Sequence, residues 1–402
     1  MVTPLDRGGK RLVALHRMFS QKRQRHAKFY VVIALFYGFG PFSDDCGSLR
    51  PVVGRQEVKE HVLKHGHNLK NRYDVVIVGA GPAGLACGMG LRDTRLSVLI
   101  LERKDVIGPK TCAGGLTHLA QSFPVSLQQA RTFPLQRIVA GRHRFFLRLA
   151  HPLKTMTRED LAAAQLKELR NRSNIHIRTG VRAVGMDGDR LRTSHGDVSY
   201  RYLVGADGAT SFIRKELGLS SRICMGQCYT SPRITDHPVW HLDPDNLPLG
   251  YVWEFPHRDH TNVGVYYDPQ CISSGRARSY LERYIEQQGM EIDKGSFQAG
   301  VVNHGYTGHM FGNRFLVGDA AGLASRATGE GISFAMTSGL ETARKILDPA
   351  YPMPELRRLV RHKRIQESFL QVMDVCPWVK RPLFALFMRM IRYPWVQETV
   401  FG

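Results

Sequence analysis

The sequence lacks any hydrophobic run long enough to cross a membrane. Its longest apolar stretch, Phe29 to Gly40, has 12 residues, where a spanning helix needs about 20. It also lacks cysteine pairs at metal or redox spacing. The seven cysteines (Cys46, Cys87, Cys112, Cys224, Cys228, Cys271 and Cys376) are odd in number and scattered, which argues against a disulfide or zinc framework and for a reducing compartment, the cytosol by default. His61 and His65 stand at helical spacing with no carboxylate or third ligand, so no metal is expected. Acidic residues are few, 35 against 56 Lys and Arg, for a net charge of +21. Such an excess suits polyanionic partners. It is concentrated at the ends, however, with +9 in residues 1–72 and +5 in 351–402, leaving +7 for the middle. The basic ends carry no interleaved aromatics and no RNA module, so no nucleic-acid partner is expected.

What is present points to a globular enzyme. A chain of 402 residues with 43% hydrophobic content can bury a core and suits two or three domains. Behind the basic stretch Lys22–Lys28, the 29–40 run resembles a signal-peptide core, but Pro41-Phe42-Ser43-Asp44-Asp45 offers no small-x-small cleavage site. A surface anchor or a leader outside the fold is the preferred expectation for residues 1–72.

From Tyr73 the pattern is a βαβ unit. An apolar strand Tyr73–Val78 runs into Gly79-Ala80-Gly81-Pro82-Ala83-Gly84, then a small-residue helix, then Leu96–Leu101 closing on Glu102. GxGxxG between strand and helix, with an acid ending the second strand, is a dinucleotide fingerprint. Gly79 allows the tight turn, Gly81 lets backbone approach a pyrophosphate, Gly84 allows close helix packing, and Glu102 accepts from a ribose hydroxyl. Farther on come an amphipathic helix Arg158–Leu169, strands near 175–178, 181–186 and 198–204, then Gly205-Ala206-Asp207-Gly208-Ala209 and Phe315-Leu316-Val317-Gly318-Asp319. Three separated nucleotide elements without a second GxGxxG suit one large, permanently held cofactor.

These elements resemble the FAD-binding fold of the para-hydroxybenzoate hydroxylase superfamily, over residues 73 to about 347. Within it, Lys110-Thr111-Cys112-Ala113-Gly114-Gly115-Leu116, the run Tyr251-Val252-Trp253-Glu254-Phe255-Pro256 with seven residues before Gly264, and Thr328-Gly329-Glu330-Gly331-Ile332 are similar to the geranylgeranyl reductase family. The resemblance implies an α/β fold: a discontinuous Rossmann-like FAD domain (73–217 with 305–347), an inserted, mostly antiparallel substrate domain (218–304) and a C-terminal helical segment (348–402). It implies FAD as cofactor, held by Gly79, Gly81, Pro82, Ala83, Gly84, Glu102, Arg103, Lys110, Gly114, Gly115, Arg158, Asp207, Gly318, Asp319, Gly329, Gly331 and Ile332. It further implies reduction of isolated double bonds in a polyprenyl lipid, with NAD(P)H or an iron-sulfur protein as electron donor.

Gly329-Glu330-Gly331 precedes the helix 332–347, so bare amides at a positive helix end can face the flavin pyrimidine and stabilise the reduced ring. At period two, Tyr251, Trp253 and Phe255 share one strand face and, with Pro256, Gly264 and Arg326, form the expected substrate site. Saturating an unactivated alkene needs a hydride and a proton, so a proton donor must stand opposite the flavin; the candidates are Cys112 and Tyr251. Cys224 and Cys228 read as packing residues. Three departures from the family pattern stand out: Tyr266 in place of the last glycine of a GxG, Arg326 in place of a proline, and Ala113 inserted before the glycine pair. An arginine at 326 either meets an anionic head group or faces solvent.

Other readings compete. Gly250–Pro256 is two substitutions from the halogenase pattern GWxWxIP, so a flavin monooxygenase or halogenase is the nearest alternative; a flavin-bearing RNA-binding protein is the second. Leu383, Phe384, Phe387, Met388 and Ile391 recur at helical spacing beside Lys380, Arg381, Arg389 and Arg392. This basic amphipathic helix suits peripheral contact with the inner face of the cytoplasmic membrane or, equally, packing over the flavin domain.

Overall fold

A computed structural model describes residues 71–401 other than 142 and 376. The readings on residues 1–70, including the 29–40 run and the His61/His65 pair, lie outside the described residues. The chain divides into two compact units, residues 1–52 with 368–387 and residues 53–367 with 388–402. Of the first, the described part is the last turns of the helix Pro354–Val375 and most of the helix Pro377–Met390. All that follows concerns the second unit.

Its first sheet has eight strands. Ile175–Arg178, Val98–Leu101, Arg72–Val78, Gly196–Gly205 and Arg314–Leu316 pair in parallel in that spatial order. The central strands are buried on both faces, which is why 75–78 and 98–101 read as unbroken apolar runs rather than as alternation. One face packs on the helices Pro82–Leu91, Arg158–Leu169 and Ile332–Leu347; the other packs on Ile213, Ala320, Leu356 and their neighbours. The helix Arg158–Leu169 starts where Thr157 accepts from the Asp160 amide at 3.0 Å and donates to its carboxylate at 2.8 Å, a reciprocal N-cap.

The second sheet also has eight strands, antiparallel except where Val239–Leu242 runs parallel to Arg131–Ala140. Residues 218–304 supply five of them, Ile223–Ser231, Val239–Leu242, Tyr251–Pro256, Thr261–Tyr267 and Asp293–Asn303. The other three, Gly115–Leu116, Arg131–Ala140 and His143–Thr155, come from earlier in the chain. The sequence reading did not anticipate the last two. Gly141, at φ +58°, makes their turn, and it was the available signal. One face of this sheet packs on the helix Ser274–Gln287 through Val252, Val263, Val265 and Tyr267; the other carries the aromatic residues described below.

Met388 and Ile391 are buried, and Arg392 lies 4.5 Å from the Phe145 ring centroid. Gln397 bonds the backbone of Arg148 and Ala150. This end of the C-terminal segment is therefore spent on packing against the strand 143–155. Among the described residues no helix is long and apolar enough to cross a membrane.

Candidate active site

The first half of the site is the turn before the helix Pro82–Leu91. Gly79 adopts φ +108°, and a Cβ there would collide with the Ala206 carbonyl. A Cβ on Gly84 would overlap the Gly79 carbonyl oxygen, so both glycines are fixed by close backbone approach. Gly81 differs: it is the N-cap, no side chain caps the helix, and a Cβ there would meet nothing within 4 Å. Glu102 accepts from the Ala80 amide at 3.0 Å and from the Lys104 amide at 3.1 Å, which pins the carboxylate beside the turn. Pro82 is the first helical residue and Ala83 is buried behind it, while Arg103 is exposed.

The second half is the turn Ser325–Gly331 before the helix Ile332–Leu347, which likewise has no side-chain cap. A Cβ on Gly339 would collide with Ala83, and one on Gly90 with Ala343. The two helices therefore run in the same direction in close contact, the second beginning about two turns before the point where it meets the start of the first. Gly318, at φ +56°, sits against Ala83 and Ala335, and the Asp319 carboxylate that follows pairs with Lys110 at 3.0 Å. Glu330 is half-buried and accepts from the hydroxyls of Thr117 (2.7 Å) and Ser333 (2.5 Å); removal of its carboxyl from water pushes the pKa up.

The third component is the aromatic face of the second sheet. The Tyr251 ring lies 5.3 Å from Trp240, 5.4 Å from Tyr266 and 6.3 Å from Trp253. Trp253 stands opposite Gly264 in the antiparallel register, and its indole covers that glycine, where a Cβ would collide with the ring. Its Nε1 donates to Asn262 at 2.7 Å. The spacing from the aromatic run to Gly264 thus has a packing cause: the glycine is the bare floor for the Trp253 ring. Phe255 covers Gly115 in the same way, and the Pro256 carbonyl accepts from Thr155 at 2.5 Å.

Cys112 joins the three parts. It is half-buried and packs against a cluster containing Ala86, Leu116, Ile332 and Met336, at the start of the second helix. Its sulfur accepts from the Gly114 amide at 3.4 Å. The next residues are set by His257, whose Nε2 donates to the Ala113 carbonyl at 3.1 Å and whose ring abuts Gly114. Tyr251 donates to the Thr328 carbonyl at 2.5 Å. Burial raises its phenol pKa, and neighbouring Cys112 and Glu330 add to the effect. Cys224 and Cys228 are buried, with thiols pushed up to about 11, as expected of packing residues.

Two expected site residues are occupied elsewhere. Asp207 accepts from Ser211 and from the amides of Phe212 (2.6 Å) and Ile213 (3.1 Å), capping the helix Phe212–Glu216. Arg326 pairs with the buried carboxylate of Asp268 at 2.9 Å, so it neither stands free in solvent nor awaits an anion. Sequence reasoning missed Asp268, His257 and Lys363, whose partners are far along the chain, and Asn262, which faces Trp253 from the neighbouring strand. Among the described residues no cluster of three or more His, Cys, Asp or Glu is placed to hold a metal.

A flavin dinucleotide fits these residues. Two parallel helices in contact both begin without a side-chain cap, Gly81 leaves open space where a phosphate must approach, and the Nε of Arg158, at the start of its helix, is buried with no hydrogen-bond partner. Fold and site define an FAD-dependent oxidoreductase. The profile of the pyridine nucleotide-disulphide oxidoreductase family matches residues 73–228. The chain is 30% identical over 301 residues to digeranylgeranylglycerophospholipid reductase 1 of Methanopyrus kandleri, covering 66% of this chain and 78% of that protein. It is 27% identical to the digeranylgeranylglycerophospholipid reductase of Methanocella arvoryzae, covering 67% and 76%. This chain belongs to the geranylgeranyl reductase family. Among solved structures, a geranylgeranyl bacteriochlorophyll reductase-like protein of Thermoplasma acidophilum superposes with a TM-score of 0.64 at 22% identity, over 76% of this chain and 87% of that one. A probable FAD-dependent monooxygenase of Pseudomonas aeruginosa reaches 0.59 at 15%, over 77% and 96%. These two likenesses concern the fold.

Proposed function

We propose that the protein saturates carbon-carbon double bonds in a polyprenyl lipid chain. The observation that carries this reading is Cys112, packed at the start of the second helix and neighbouring Tyr251 of the aromatic wall. Bound and reduced, FAD supplies the hydride. Gly79, Gly81, Pro82, Ala83 and Gly84 would hold its pyrophosphate, Glu102 its ribose, Arg158, Lys110 and Asp319 its middle, and the amides of Gly331 and Ile332 the pyrimidine edge, while the Gly329 amide closes the turn on the Ser325 carbonyl at 3.0 Å. The wall of Trp240, Tyr251, Trp253 and Phe255 excludes water and lays a hydrocarbon chain alongside.

An isolated alkene gives the site no carbonyl to polarise, so the chain must deliver a proton to the carbon that does not receive hydride. Tyr251 is the weaker candidate, because its hydroxyl is engaged with Thr328 and burial strengthens its hold on the proton. We assign the donation to the Cys112 thiol and to Tyr251 the positioning of the 328–331 turn. Proton and hydride together add two hydrogens per double bond, and the cysteine recovers its proton from solvent.

Two measurements test this. Prenyl lipids of the host are compared by mass spectrometry with and without the gene: the reading expects shifts of two mass units per double bond, and no shift in any prenyl lipid overturns it. In the purified holoenzyme, Cys112→Ser retains flavin but lowers turnover on the order of a hundredfold. Turnover that requires oxygen or halide would instead favour a monooxygenase or halogenase. The electron donor is either NAD(P)H binding transiently or an iron-sulfur protein, and the two are separated by adding each to the oxidised enzyme under argon.

A further inference from the structure

The two substitutions that depart from the family pattern meet in space. Tyr266, standing in a glycine's place, sends its hydroxyl toward the carbonyls of Ser325 (3.3 Å) and Arg326 (3.1 Å). Arg326, standing in a proline's place, reaches back with Nε (3.2 Å) and Nη2 (2.9 Å) to Asp268, two residues beyond Tyr266. The Tyr266 ring also covers Gly329, where a Cβ would lie 3.0 Å from the ring. One ring, two carbonyls and one buried ion pair thus tie the strand Thr261–Tyr267 to the turn whose amides open the second helix.

A proline restrains a turn through its own backbone, and an arginine does not. A buried carboxylate such as Asp268, 2% exposed, is tolerated only when paired. We propose that Tyr266, Asp268 and Arg326 form one positioning unit that fixes the turn Ser325–Gly331, and with it the flavin-facing amides of Gly331 and Ile332. Lys363 backs the unit from the other side: buried, it donates to the Ala324 carbonyl at 2.6 Å and pairs with Glu367 at 2.7 Å. The inference rests on the flavin site and not on any substrate.

If the unit holds amides that favour reduced flavin, loosening it must weaken FAD retention and lower the flavin midpoint potential. In the holoenzyme, Asp268→Asn is expected to speed FAD release, followed by flavin fluorescence, at least fivefold. It is also expected to cut the preference for reduced over oxidised flavin threefold to tenfold, which is about 15–30 mV at ~30 mV per decade for a two-electron couple. The double variant Asp268→Ala with Arg326→Pro removes the orphan carboxylate and restores the backbone restraint, so both readings return to within twofold of wild type. A variant that lowers the melting temperature with release rate and potential unchanged reduces the triad to ordinary packing and overturns the proposal, as does a double variant worse than Asp268→Asn. Should Asp268→Asn not fold, Tyr266→Phe removes only the hydroxyl. At least twofold faster FAD release supports the unit, and an unchanged rate contradicts it.

Discussion

The two helix N-termini at the centre of this site are held in different ways. The turn Gly79–Gly84 is held by backbone: Gly79 and Gly84 approach one another and the main chain at Ala206 so closely that no other residue fits, and Glu102 adds a bond to the Ala80 amide. The turn Ser325–Gly331 is held by side chains from elsewhere. Tyr251 and Tyr266 come from two strands of the second sheet, Asp268 from just beyond one of them, and Lys363 from a helix behind. Both open a helix without a side-chain cap, yet one is a backbone device and the other a side-chain device. A backbone device tolerates little substitution and cannot be repaired from a distance. A side-chain device can be retuned piecemeal, and here it is built from a tyrosine, an aspartate and an arginine.

The largest expected effect comes from breaking the backbone device. Gly84→Val drives a side chain into the Gly79 carbonyl and destabilises the fold by roughly 4 kcal/mol or more, with flavin content below about a tenth of wild type. Absorbance of the purified protein and urea unfolding check both. No variant of the second turn should equal it.

Acid should act on the Cys112–Gly114 loop, which is also held by a side chain. Burial and neighbouring His260 lower the pKa of His257 to about 4, and its Nδ1 is buried without a partner. The folded pKa lies below the unfolded value of about 6.5, so the unfolded state takes up more protons between the two. Stability from this group is complete above pH 6.5 and is lost as pH falls toward 4, by about 3 kcal/mol at most. His304, also lowered to about 4, acts in the same direction. The raised carboxyls Glu254 and Glu330 act oppositely, so the test is the difference between wild type and His257→Gln, whose urea midpoints should converge as pH drops from 7 to 4.5.

Gly81 sharpens the comparison within the first turn. A methyl there meets nothing in the protein, so Gly81→Ala should leave apoprotein stability within about 1 kcal/mol while weakening FAD binding about tenfold, as titration of the apoprotein would show. The smallest effect is expected from Tyr251→Phe, which removes one bond to the second turn and costs about 1 kcal/mol in chemical denaturation.

The contrast between the turns also explains how much was legible in the sequence. The strand-turn-helix at 73–91 and the helices 158–169 and 332–347 are locally encoded, by apolar runs, glycines and the Thr157–Asp160 cap, and they stand where the residues place them. The aromatic strand was legible by period, and its glycine partner by family spacing, although only the register explains why Gly264 must be bare. Asp207 misleads because an Asp-Gly turn serves a cofactor and a helix cap equally well; the deciding signal, Ser211 four residues on, is weak by itself. Arg326 was unreadable because its partner is 58 residues away. Long-range side-chain pairing leaves no periodic trace in a single sequence.

The most direct test of the central claim uses the purified holoenzyme, chemically reduced under argon and mixed with a phospholipid bearing geranylgeranyl chains. The account predicts one saturated double bond, a gain of two mass units, for each reduced flavin reoxidised, without oxygen. Flavin that stays reduced until oxygen is admitted, with the prenyl chains unchanged, would contradict it.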